Sequence, residues 1–217
     1  MALTFPVPLA DFWDKLPIGP SAPLFLRSAV RADEDDTGVV LPSGIGFSGW
    51  RGEARVARLR NDATVAALVD VLRITGGSFL AYEKSRPAPA ADPTGAGLSG
   101  FSPQVTAFAA NNREITLGGL PAGYVLSPGD FIGWTYASNP TRRALHRFVL
   151  GGAANGSGVT ASLEVVPHVR PGAVAPVAAV LVKPSAAFVI LSESHNPGNR
   201  GVVTTTGLAF DFAQTLR

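Results

Sequence analysis

The chain contains no cysteine, which excludes disulfides and thiolate metal sites and leaves the redox compartment unspecified. It is also poor in charge: only 16% of the 217 residues are Asp, Glu, Lys or Arg, against the usual quarter. A surface this lightly charged suits a protein that hides area in an assembly. No apolar run approaches the roughly 20 residues a membrane helix needs. Met1 to Ala10 lacks a positive start and carries Pro6 and Pro8, so it does not read as a signal peptide. The formal net charge of +2 comes from basic residues scattered along the chain, too little to argue for nucleic-acid binding. There is no repeat at a fixed period.

Glycine and proline are abundant, at 24 and 18 residues, and helical periodicity is almost absent. Short strands separated by turns are therefore expected. The exception organises the chain. Trp50 to Leu59 alternates small or apolar residues with arginines, the period-2 signature of a half-buried strand. Asn61 or Asp62 is placed to cap a helix over Ala63–Ile74, where Val65, Leu68, Val69 and Leu72 form a stripe that Val71 and Ile74 broaden. Gly76-Gly77 stops it, and Ser78 to Tyr82 returns as a strand. A helix apolar on one side must bury that side, here against sheet.

Leu3 to Leu9, Phe12-Trp13 and Leu16 to Ile18 form an apolar start broken by prolines, suited to an edge strand or an arm lying on a neighbour. Leu24–Val30 is predicted as a strand, and Arg31–Gly38 as a loop holding Asp33, Glu34, Asp35 and Asp36. Ser85–Ser102, rich in Pro, Gly and Ala, predicts a linker or long surface loop. Beyond it, Ile115 to Leu117 is strand-like and Val125 to Asp130 is a tight turn around Pro128-Gly129. Phe131–Trp134 and Ala144–Leu150 are strands. Asn155-Gly156 predicts a type I′ hairpin turn before a returning strand, Val159–Val166. Val177–Val182 and Ala187–Leu191 are further short strands, and a last one carries Leu208, Phe210 and Phe212 on one face.

Taken in order, several of these segments resemble distal tail proteins of long-tailed, siphovirus-type bacteriophages. They are Trp50-Arg51-Gly52 with the helix, Gly77 to Tyr82 with Arg86-Pro87, Leu126 to Phe131, His146 to Val149, Ala154 to Gly158, Glu164 to Arg170, and Gly207 to Phe212. The order, rather than any single motif, carries the specificity. The resemblance implies a mainly β fold: a split β-barrel belt domain with one flanking α-helix, plus a second β domain, barrel- or sandwich-like. On this chain the belt is expected at 1–85 with 201–217, a linker at 86–102 and the second domain at 103–200. The resemblance further implies a homo-hexameric ring at the distal end of a tail, assembled in the host cytoplasm and joining the tail tube protein to the tail hub or tip protein. The tape measure protein is a further expected partner, DNA passes only as cargo in the channel, and no membrane insertion is implied. Phe5, Phe12, Trp13 and Ile18 are the expected contacts of an intersubunit arm, with Arg86–Ser102 as a second contact. Asp33 to Asp36 are the expected acidic loop, facing an interface or the channel, where it would repel passing DNA.

Catalysis finds little support in the residues. His146 and His168 each read as a core or rim histidine, and His195 as a loop histidine. Ser194-His195 lacks an orienting third group and an oxyanion hole, and there is no G-x-S-x-G elbow. Asp130 follows Pro-Gly and reads as a turn aspartate rather than a catalytic acid. Glu53 and Glu83 form no glycosidase dyad. The acidic run lacks the glycine and terminal glutamate of a calcium loop. No enzyme activity, cofactor or metal is expected. Two alternatives stand beside the tail reading: a β-sandwich or OB-like carbohydrate-binding module with Trp134 or Tyr136 as its platform, and another tail-tube or terminator ring protein.

Overall fold

A computed structural model describes residues 3–18, 24–27, 30–34, 40–44, 48–60, 63–137 and 140–216. The fold is mainly β with one α-helix among the described residues. In chain order the first part holds β1 (Phe25–Arg27), β2 (Val30–Glu34), β3 (Val40–Gly44), β4 (Gly49–Val56), β5 (Leu59–Arg60), α1 (Ala63–Thr75) and β6 (Ser78–Ala81). The middle holds β7 (Gln104–Phe108), β8 (Glu114–Gly118), β9 (Val125–Leu126), β10 (Phe131–Tyr136), β11 (Arg142–Phe148), β12 (Gly152–Ala153), β13 (Leu163–Val166) and β14 (Val177–Val180). The last part holds β15 (Ala186–Ile190), β16 (Asn199–Arg200), β17 (Thr204–Thr206) and β18 (Leu208–Gln214).

Strands from both ends of the chain build one antiparallel sheet, in the order β1-β4-β18-β15-β6. The alternation in β4 is the reason. Trp50, Ala54 and Val56 are buried while Arg51, Glu53 and Arg55 point the other way, as period 2 requires. β18 supplies the matching face with Leu208, Phe210 and Phe212. Phe212 pairs with Gly52, and a Cβ there would lie 2.3 Å from the tip of the ring. On α1, Val65, Leu68, Val69 and Leu72 enter the same core. The stripe is narrower than predicted, since Val71 is half-buried and Ile74 is 76% exposed. Gly76, at φ +62°, ends the helix. The predicted caps, Asn61 and Asp62, lie outside the described residues.

The apolar start of the chain belongs to this core and is not an arm. Val7, flanked by prolines, pairs along β6: its N–H donates to the Ser78 carbonyl and its carbonyl accepts from Leu80, both at 2.9 Å. Two 3₁₀ turns, Leu9–Asp11 and Trp13–Lys15, then fold the chain inward. Phe12, Trp13 and Leu16 are at most 1% exposed, and Phe12 meets Phe79 edge-on at 5.0 Å, as Trp13 meets Phe212 at 5.1 Å. Ile18 is buried as well and bridges to Val56. Of the four predicted arm contacts only Phe5 lies on the surface.

The middle of the chain closes into a six-stranded barrel, β10-β11-β13-β8-β7-β14, small enough to be filled by its own side chains. Val105, Ile115, Leu117, Ile132, Trp134, Phe148 and Val165 fill it. Sheet membership departs from the predicted partition at one end. Ala186–Ile190, placed above in the second domain, lies between β18 and β6 in the first sheet, because Phe188 fits the aromatic core there. Two local predictions also change. Arg31 to Glu34 are strand, paired with β3, rather than loop. Neither Asn155 nor Gly156 has positive φ, so no type I′ turn forms. Instead the Asn155 side chain accepts from the Ser157 and Val159 N–H groups, and Gly158 takes the left-handed conformation.

Phe12→Ala and Trp13→Ala are each expected to lower stability by about 3–5 kcal/mol, read as a fall in the urea midpoint. A chain without residues 1–18 is expected to be unfolded by circular dichroism. A folded, soluble truncated chain would show that this segment is not part of the core.

Candidate interaction site between sheet and barrel

Sheet and barrel meet where β10 and β11 present their outward faces. Phe131 and Leu145 leave the barrel interior and join the first core. The Trp50 indole N–H donates to the Leu145 carbonyl at 2.7 Å, and its ring lies 5.3 Å from that of Phe131. Arg147, two residues on and on the same outward face, stacks over Trp50 at 5.4 Å. On another side, Lys183 pairs with Asp14 at 3.0 Å, and Asp14 accepts from the Tyr82 hydroxyl.

The segment predicted as a linker is docked on the barrel. Asp130, fully buried, accepts from the Ala90 N–H at 2.9 Å and the Ser127 N–H at 2.7 Å, and lies 3.4 Å from the Arg86 guanidinium. Arg86 also donates to the Pro128 carbonyl. Three groups thus engage the carboxylate, which holds the turn and the segment together. Glu83, 4% exposed, is likewise occupied: it accepts from the Leu24 N–H and from the N–H and hydroxyl of Ser85.

Two openings lie along this seam. The larger, about 730 Å³, lies among Leu24, Glu83, Arg86, Phe131, Arg147 and Val149. The smaller, about 340 Å³, lies among Leu26, Ser48, Pro167, His168 and Arg170. Val166 lines both. The walls are apolar and the charges mostly basic. Among the described residues no carboxylate pairs with Arg147.

The residues singled out in sequence do not converge here. Phe12, Trp13 and Ile18 are in the core, and Phe5 lies apart on the surface. Asp33 and Glu34 close β2, while Asp35 and Asp36 lie outside the described residues. Trp134 and Tyr136 are 2% and 7% exposed inside the barrel, so neither offers a sugar platform. The Ser194 hydroxyl donates to the Leu191 carbonyl and accepts from the Asp211 N–H, which ties it to β18 and not to His195. Among the described residues no group of three or more His, Asp or Glu could hold a metal ion. Arg86, Arg147 and Arg170 were missed as a set. Only Arg147 had a sequence signal, its place on the outward face of a strand. No protein-family model and no curated protein matches the chain.

Of the two histidines expected in the core or at its rim, His146 lies in the core, 3% exposed. Its ring stacks on Trp134 at 4.5 Å, and Nδ1–H donates to the Pro167 carbonyl at 2.6 Å. Burial pushes the imidazole down to about 4, the Pro167 carbonyl opposes that, and the Arg170 guanidinium adds to it. Because the folded value lies below the ordinary 6.5, the unfolded chain takes up the proton first as pH falls. The neutral ring's contribution is complete above about 6.5 and is lost as pH falls toward 4, amounting to roughly 3 kcal/mol. His146→Phe is expected to flatten the pH dependence of the melting temperature between these limits. Equal slopes in both proteins would remove His146 from the acid response.

Proposed function

We infer that this chain is a structural subunit of a bacteriophage tail tip, a distal tail protein that joins copies of itself into a ring, hexameric as the resemblance implies. The ring connects the tail tube to the hub or tip at the end of the virion, with DNA passing through as cargo. One observation carries the reading: a sheet built from both chain ends and flanked by a single helix, with a closed β-barrel inserted between β6 and β15. That is the belt-plus-second-domain plan implied by the resemblance, and the motif order falls on it from Trp50 to Phe212. The low charge, 16% of residues, supports an assembled state in which much of the surface is covered.

Coexpression with tail tube and tail hub proteins of the same phage is the test. The chain is expected to copurify with both, and electron micrographs of the complex are expected to show a ring with a central hole capping the tube. Failure to bind either protein would overturn the assignment. Specific retention on a glycan array would favour a carbohydrate-binding module instead.

A further inference from the structure

We propose that one ordered water is a built part of this fold, held where the barrel meets the end of β18 by the Trp134 indole N–H and the Tyr136 hydroxyl. The site is independent of the tail assignment.

Trp134 and Tyr136 stand two residues apart on β10 and so share its inward face. They are 2% and 7% exposed, and neither the indole Nε1 nor the phenol oxygen has a hydrogen-bond partner among the described residues. Buried polar groups are almost always paired with protein or with ordered water. One left unmet carries its full desolvation cost, and here two such groups are neighbours. The indole is held in its orientation by other rings. His146 lies flat on it at 4.5 Å with the planes 8° apart, and Phe108 packs against it at 5.6 Å.

Both residues line one small cavity of about 10 Å³, which is room for a single water. A bound water needs acceptors as well as donors, and this wall has both. The Pro167 carbonyl receives His146 Nδ1–H and keeps a second lone pair. With its proton on Nδ1, His146 carries a lone pair on Nε2. The Trp134 N–H only donates, so the water oxygen takes that bond, while the Tyr136 hydroxyl serves as donor or acceptor. A small anion is the rival occupant, because Arg143 and Arg170 also line the cavity. The acceptors on Pro167 and His146 argue against it, since lone pairs repel negative charge. Gln214, from the end of β18, lines the cavity as well, so the water sits at the junction of barrel and sheet.

The test is a crystal structure of the full chain, a second crystal soaked in bromide, and a comparison of stability with Tyr136→Phe. The wild-type crystal is expected to show one density peak about 3 Å from both Trp134 Nε1 and the Tyr136 oxygen. No anomalous signal is expected there after the bromide soak. Tyr136→Phe removes the hydroxyl and little else. It is expected to raise the unfolding equilibrium constant about fivefold, the loss of one net hydrogen bond, read from urea midpoints. A hydroxyl with no partner at all would give the opposite sign, because its removal would stabilise the fold. The wild-type crystal decides even where the variant fails to fold. An empty cavity, an anomalous peak marking an anion, or a Tyr136→Phe chain at least as stable as the wild type would each overturn the water site.

Discussion

Trp50 carries one polar atom into a site where nothing is exposed, and the Leu145 carbonyl is what receives it. A buried indole N–H without an acceptor costs on the order of 1–3 kcal/mol, so this bond fixes where the barrel stands against the sheet. It also fixes the register of β4, since a slip by one residue would turn Trp50 away and bring Arg51 inward. With Trp50 in place, Gly52 comes under Phe212, and Ala54 and Val56 face the core. Phe131 and Arg147 both pack against the indole. The same side chain therefore sets both the sheet and its junction with the barrel.

Much of the fold was legible because it is written in local period. β4, α1 and β18 each show their buried face as a regular spacing, and the Ser127 to Asp130 turn has its Pro-Gly pair. The parts that were not legible depend on contacts distant in sequence. Phe12, Trp13 and Leu16 follow neither a strand nor a helix period, because 3₁₀ turns deliver them to the core, so they read as an arm. The apolar run before Leu191 says that a strand exists but not which sheet takes it, and Phe188 answers only once Phe79 and Phe212 surround it. Asp33 and Glu34 suggested a loop by charge alone, although an unshared ribbon tolerates acids in its strands.

The site was the least legible part. Arg86, Arg147 and Arg170 are far apart in sequence and come from a docked segment, a barrel strand and a turn. Nothing in their spacing announces that they line neighbouring openings. Asp130 shows the converse: the turn role assigned from sequence is correct, yet its larger part, holding Ala90 and Arg86 against the barrel, becomes visible only when that segment is seen to pack.

The way the barrel is spliced into the sheet has a consequence for how such a protein can vary. Ala81, where the chain leaves the sheet, and Ala186, where it comes back, are direct partners across two neighbouring strands. The chain leaves the sheet and returns to it at one pair of facing residues, so the length of the inserted body makes little demand on the sheet. Whatever replaces it must still offer a carbonyl to Trp50 and an aromatic to lie against it. Within those two conditions the inserted body can be exchanged without rebuilding the sheet.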